Sequence, residues 1–464
     1  MAKKARKTVW VCQECGYESP KYLGRCICGA WNSMVEETVP SESGEDARGR
    51  GSIGRLSSKP VPLRDVGSAE RKRIRTGIGE LDRVLGGGLV PGSLTLISGE
   101  PGIGKSTLIV QAAARIAAGG ETVLYVSGEE SEQQIRMRAD RVAPNLPDSL
   151  YVMAETDLDQ VEEACRNLKP GFLIIDSIQT MYTSALDSAP GSVSQVRACG
   201  GILMKIGKTG NIPVFIVAHV TKSGDLAGPK IVEHLVDCVL NFSGERDQEI
   251  RILRAFKNRF GTTSEIGAFR MEQSGLVEIN NLSASFLENS AERAEGSVIT
   301  AVYEGSRTVL LEVQALTAKA NVGFARRTSV GIDYQRLSMI IAVLEKRVGL
   351  SLLNEDVYVN VVGGLRPDST SVDLGVALAI FSSVYNFVSE DRTIAIGEVG
   401  LTGSLRSVAG AAKIAQEAGR LGYKKIILPE RNAEQIRKSG GALGIQLLGA
   451  RNLSEAVRAF RAKD

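Results

Sequence analysis

A chain of 464 residues is longer than one ordinary domain, and two or three domains are expected. Its 43% hydrophobic and 23% charged content is that of globular protein, and a net charge of +3 excludes a general polyelectrolyte affinity. No apolar run has the length of a membrane span and Met1-Ala-Lys-Lys4 lacks a signal-peptide core, so no membrane partner is expected and the expected location is the cytoplasm, with thiols reduced.

The chain opens on Lys3, Lys4, Arg6 and Lys7, followed by two cysteine pairs, Cys12 with Cys15 and Cys26 with Cys28. Paired thiols at this spacing in a reducing compartment predict a four-thiolate Zn²⁺ site in a module, residues 1–38, too small to fold on its core alone. The second pair is Cys-x-Cys, one residue shorter than the usual knuckle, which leaves less room to turn both sulfurs onto one ion. Residues 39–65 are polar and glycine-rich and are expected to be a flexible linker, and the basic run Arg71–Arg75 follows it as either a solvated face or a phosphate contact.

The apolar run Ser93–Ser98 leads into Gly99, Glu100, Pro101, Gly102, Ile103, Gly104, Lys105, Ser106 and Thr107, and a helical pattern continues from Leu108 to Ala118. Strand, glycine-rich loop and helix in this order predict a phosphate-binding loop. The glycines let backbone N–H groups converge on phosphates, Lys105 adds a cation, and the Ser106 hydroxyl is suited to Mg²⁺. ATP with Mg²⁺ is therefore the expected ligand. Further strands at 122–127, 172–176 and 213–218 alternate with helical stretches from Glu132 and over 193–208, predicting a mainly parallel α/β sheet over residues 66–275. Chemistry in such a sheet belongs at the C-terminal strand ends. Asp176 ends one strand and fits a metal-holding carboxylate. Glu129 and Glu130 end another, and one of them is expected to polarise the attacking water. His219 and Lys222 follow a third, at the place of a γ-phosphate sensor. Lys257 and Arg259, two residues apart, are expected on one strand face, directed at a neighbouring subunit's nucleotide, a phosphodiester or water. Cys165, Cys199 and Cys238 sit among apolar neighbours and are expected to be core thiols.

Together these stretches resemble the RecA-type ATPases, and among them the bacterial repair and recombination family that begins with four cysteines. The most specific match is Lys257, Asn258, Arg259, Phe260 and Gly261, that family's signature. The resemblance implies that Glu129 activates water, and that Lys257 and Arg259 couple ATP hydrolysis to DNA across a subunit boundary. It also implies hexameric rings that act on single-stranded and branched DNA with the RecA recombinase, driving branch migration. Residues 276–464 resemble the peptidase domain of Lon proteases, an α+β fold that uses a Ser-Lys dyad. Ser371 falls at or beside the nucleophile position, but the lysine position falls at Ala412, with Lys413 one residue along. One helical residue turns a side chain by about 100°, so this domain is expected to be a scaffold without peptidase activity. An ATP-dependent protease and a non-motor ATP switch that recruits partners are the alternative readings.

Overall fold

The computed structural model describes residues 7–12, 17–39, 62, 72–143, 145–218, 230–244, 249–287, 294–320, 325–363, 366–367, 369–388, 392–440 and 444–461. The linker expected over 39–65 thus lies almost wholly outside the described residues, as do Cys15, His219 and Lys222. Contacts divide the chain into two units, Met1–Ser243 with Arg251–Glu278, and Gly244–Ile250 with Ile279–Asp464.

The first unit is built on a nine-stranded sheet in the order Gly275–Glu278, Ile266–Glu272, Ile250–Asn258, Cys238–Ser243, Leu94–Gly99, Val214–Val217, Phe172–Asp176, Val123–Ser127, Leu150–Ala154. From Cys238–Ser243 to Leu150–Ala154 the strands pair in parallel. Beyond Cys238–Ser243 the sheet continues with antiparallel pairings. The central strands are unbroken apolar runs because helices cover both faces. Alternation along each strand divides the core in two. Ile97, Tyr125, Ile174 and Phe215 pack with Leu108, Ile109 and Ile116 of the helix Lys105–Ala118. Leu96, Leu124, Leu173 and Ile216 pack with Val161, Val196 and Leu203 of the helices Leu158–Leu168 and Val193–Gly210. Each such fully buried side chain contributes about 1.5–3 kcal/mol. The parallel arrangement sets the residues after Gly99, Ser127 and Asp176 along one sheet edge.

Residues 7–12 and 17–39 form a three-stranded antiparallel sheet in the order Glu18–Ser19, Lys7–Cys12, Met34–Val39. Its apolar core is only Cys12, Cys26 and Met34, with Trp10 and Leu23 against them. A core this small cannot hold a fold by itself.

The second unit contains a seven-stranded mixed sheet in the order Arg327–Val330, Glu355–Val361, Arg307–Lys319, Ser297–Glu304, Thr393–Ala395, Lys425–Pro429, Gln446–Ala450. Ser297–Glu304 and Arg307–Lys319 form a hairpin, in which Glu304 faces Arg307 across the two-residue turn. Gly305 takes a φ of +59°, as such tight turns require. The helix Asp373–Tyr385 is buried from Asp373 through Ser382, which explains its nearly unbroken apolar sequence. A further helix, Ala411–Arg420, starts after Gly410, which takes a left-handed φ of +67°. Among the described residues no helix is long and apolar enough to cross a membrane.

Candidate active site

The phosphate-loop strand Leu94–Gly99 delivers the chain into a turn that only glycine permits. Gly99 has a φ of +151°, and a Cβ on it would lie 2.4 Å from the Phe242 carbonyl oxygen. Gly104, with a φ of +113°, is the N-cap of the helix Lys105–Ala118, and no side chain caps it. The first-turn N–H groups of that helix are therefore available to an anion, supported by the helix dipole. Lys105 is buried here, and its Nζ donates to the carbonyls of Gly99 at 2.8 Å and Glu100 at 3.0 Å. Burial lowers its pKa to about 8, against the opposing pull of Asp176 and Glu129.

The carboxylates arrive from two neighbouring strands. Ser127 lies opposite Asp176 in the parallel register, which brings the two strand ends side by side. Tyr125 donates its hydroxyl to Asp176 Oδ2 at 2.6 Å. The Ser127 hydroxyl accepts from the backbone N–H of Glu129 at 3.3 Å and of Glu130 at 3.0 Å, turning the chain so that both glutamates leave the strand end. The helix Glu132–Val142 then starts on a capping box between Ser131 and Gln134. The two glutamates have different environments. Glu130 forms an ion pair with Arg138 on that helix, whereas Glu129 Oε1 accepts from the Ser177 hydroxyl. Glu129 also lies close enough to Lys105 for the two charges to attract.

One cavity of about 450 Å³ brings together Lys105, Ser106, Thr107, Glu129, Glu130 and Asp176, with Arg138 and Arg141 on its wall. The paired-oxygen chemistry of Ser106 and Asp176 beside Lys105 fits a hard cation such as Mg²⁺. Sequence reading missed Tyr125, Ser177, Arg138 and Arg141. The two arginines carry a faint signal, one and two turns into an acidic helix start, and Tyr125 is the one polar-tipped residue in the run Val123–Val126.

Lys257 and Arg259 are placed differently from expectation. The strand Ile250–Asn258 ends before Arg259, and its pairing shifts by a bulge between Ala255 and Lys257, so a common strand face does not describe them. Both nevertheless reach one corner. Lys257 Nζ donates to the carbonyls of Glu233 at 2.7 Å and His234 at 3.4 Å, and Arg259 pairs with buried Asp237 at 3.4 Å. Asp237 also takes Lys208 at 3.1 Å and exchanges hydrogen bonds with the backbone of Leu94. Leu94 begins the strand that Gly99 ends, so this corner is the far edge of the sheet, about 17 Å from the phosphate loop at roughly 3.3 Å per residue. Asn258, Phe260 and Gly261 anchor the turn: Asn258 Nδ2 donates to Val84 O at 3.1 Å, Arg73 donates to Phe260 O at 2.7 Å, and Gly261 abuts Gly86. Arg73 of the basic run is thus a structural strut.

In the N-terminal module the sulfurs of Cys12, Cys26 and Cys28 lie within 4.8 Å of one another, with Cys12 to Cys28 at 3.9 Å. Sulfurs around tetrahedral zinc, at Zn–S of about 2.3 Å, stand about 3.8 Å apart, so the described donors fit Zn²⁺ despite the short second knuckle. Cys165, Cys199 and Cys238 are buried, and burial pushes the Cys165 thiol up to about 11 and those of Cys199 and Cys238 up to about 12, as inert core thiols require.

In the second unit Ser371 lies buried in the 3₁₀ turn Thr370–Val372. Its hydroxyl donates to Ala301 O at 2.9 Å and accepts from Ser369 at 3.1 Å. Lys413 instead bonds the Tyr303 hydroxyl at 2.6 Å and lies over that ring, and Ala412 is exposed. Among the described residues no lysine amine takes the Ser371 proton.

Three family models match along the chain: an AAA domain over residues 60–225, a rubredoxin metal-binding domain over 10–36, and subunit ChlI of Mg-chelatase over 316–432. The DNA repair protein RadA of Bacillus subtilis is 48% identical over 453 residues, covering 97% of this chain and 98% of that protein. The chain belongs to the RadA family. RadA proteins of Halalkalibacterium halodurans and Listeria monocytogenes are 50% and 49% identical, covering 93% and 97% of the chain and 94% and 98% of their own lengths. With an AAA-domain match spanning the phosphate loop and both carboxylate strands, this RadA-family chain is an ATP hydrolase of the α/β, RecA-like class that carries a zinc-ribbon module at its N-terminus.

Proposed function

We propose that the chain is a DNA-dependent motor that processes homologous-recombination intermediates, driving branch migration of strand-exchange products alongside RecA in the cytoplasm. In this reading Lys105 and the loop Gly99–Thr107 hold the triphosphate, Ser106 and Asp176 hold Mg²⁺, and Glu129 takes a proton from the attacking water. His219, two residues along the sequence from the strand Val214–Val217, senses the γ-phosphate. Lys257, Arg259 and the turn of Asn258, Phe260 and Gly261 couple hydrolysis to single-stranded or branched DNA.

The observation that supports coupling best is the separation of the two charge clusters. The Lys257 and Arg259 corner stands at the sheet edge opposite the chain's own phosphate loop, so cations there meet a nucleotide only on another copy. That favours assembly into rings, for which the family resemblance suggests hexamers. The domain division follows the same reading: a zinc finger at 1–38 with Cys12, Cys15, Cys26 and Cys28 on Zn²⁺, a linker at 39–65, an ATPase domain at 66–275, and a Lon-like scaffold at 276–464. The scaffold reading is favoured over a protease because the Ser371 proton is given to a backbone carbonyl rather than to an amine.

The test is a branch-migration assay with purified protein, ATP and three-strand intermediates made by RecA. ATP-dependent extension of the heteroduplex is expected. Normal ATP turnover with no movement of the branch point would leave a recruiting switch as the better reading.

A further inference from the structure

Tyr125 stands in the middle of a buried strand, 1% exposed, on the face shared with Ile109, Ile135 and Ile174. Packing alone would be served as well by phenylalanine, without the cost of burying a hydroxyl among aliphatic side chains. Among the described residues the hydroxyl has one partner. Tyr125 lies opposite Ile174 and Ser127 opposite Asp176, so the ring leans one pair along the same face and its oxygen meets Asp176 Oδ2 at 2.6 Å. That length is in the charge-assisted range. Among the described residues no other side chain bonds the Asp176 carboxylate.

We propose that Tyr125 is a positioning residue for ATP hydrolysis, fixing the rotation of the Asp176 carboxylate so that its second oxygen is presented to Mg²⁺ at the phosphate loop. The inference rests on the reading of Asp176 as the metal-holding carboxylate. An unrestrained carboxylate turns about its Cβ–Cγ bond, and a hydrogen bond to one oxygen selects one rotation before the metal arrives.

The experiment uses the full chain carrying Tyr125→Phe, which keeps the ring and removes only the hydroxyl. Partners that orient a metal ligand typically control about 10-fold or more in metal affinity or activity. The Mn²⁺ affinity of the protein–ADP complex, read by electron paramagnetic resonance, is expected to fall about 10-fold. The Mg²⁺ concentration for half-maximal turnover should rise correspondingly, while ATP binding in EDTA stays at the wild-type value. Wild-type Mn²⁺ affinity and Mg²⁺ dependence in Tyr125→Phe overturn the inference. So does a fall of metal-free ATP binding in step with metal affinity, because the hydroxyl would then support the site generally. Asp176→Asn separates the two levels. Unchanged Mn²⁺ affinity in Asp176→Asn removes the reading of Asp176 itself, whereas loss there with no change in Tyr125→Phe removes the Tyr125 inference alone.

Discussion

Arg259 pairs with Asp237 across 3.4 Å, at a corner where Asp237 is buried and the guanidinium side chain is 60% exposed. The arginine is thus tethered on one side and open on the other. Lys257→Ala and Arg259→Ala should leave ATP binding near the wild-type value and reduce DNA-stimulated turnover about 10-fold or more if the cation acts on a neighbour's phosphates. Arg259→Lys should recover only part, because an ammonium cannot copy a planar fork that serves Asp237 and a phosphate together. Contact with DNA phosphate alone predicts a different pattern: normal DNA-independent turnover and a salt dependence of binding lowered by about one unit per cation removed.

The unequal partners of Glu129 and Glu130 give a second test. Glu129→Gln should bind ATP normally and lose about 10²–10⁴-fold in turnover, the usual worth of a positioned base. Glu130→Gln should retain most turnover and weaken only the hold on Arg138. Single-turnover hydrolysis after filter-binding of ATP separates the two. Near-wild-type rates in Glu129→Gln would transfer the role to Glu130.

A third expectation is a pH dependence. The Lys105 amine in the free protein is charged below its depressed value of about 8 and neutral above it. ATP affinity should therefore be constant at neutral pH and fall about 10-fold per unit as pH rises past that value, since each lost proton removes the cation that the phosphates meet. Lys105→Ala should abolish turnover and flatten this limb. A fluorescent nucleotide titrated between pH 7 and pH 9.5 reads it.

The zinc module offers a fourth. Purified protein should carry close to one zinc per chain by elemental analysis, and a strong chelator should melt residues 7–39, because Cys12, Cys26, Met34, Trp10 and Leu23 are too small a core to hold them. Cys28→Ser should lose most of the metal. Zinc-free protein with an unchanged Trp10 emission spectrum would contradict the site.

Ser371→Ala should leave ATPase and DNA activities unchanged, and the wild-type chain should not degrade casein. The variant loses the bond to Ala301 O and should be less stable by about 1 kcal/mol. ATP-stimulated proteolysis that disappears in Ser371→Ala would overturn the scaffold reading.

Local pattern carried much of this molecule. The phosphate loop was legible because its glycines, its Lys-Ser pair and its flanking strand and helix are all contiguous in the chain. The meeting of Asp176 and Glu129 in one cavity was legible because a parallel sheet aligns its strand ends. What stayed hidden depends on pairing between distant segments. The Tyr125 bond to Asp176 exists only because Val123–Ser127 and Phe172–Asp176 are neighbours in a particular register. The ion pair between Glu130 and Arg138 exists only because the helix Glu132–Val142 turns that arginine back toward the strand end. Spacing alone put Lys257 and Arg259 on one strand face. The bulge after Ala255 and the strand end at Asn258 altered that, and no local residue type announces a bulge there.

The distance between the Lys105 end and the Arg259 end of one sheet has a consequence for assembly. If a complete hydrolytic centre takes its loop from one copy and its cations from the next, the contact is head-to-tail, with unlike surfaces meeting. An open stack of such copies always has one fewer complete centre than it has chains, with an idle loop at one end and idle cations at the other. Closing the ring joins these two ends and gives every chain a working centre. Ring closure would then be rewarded by catalysis itself, and any opening to admit a DNA strand would silence one centre until the ring shut again.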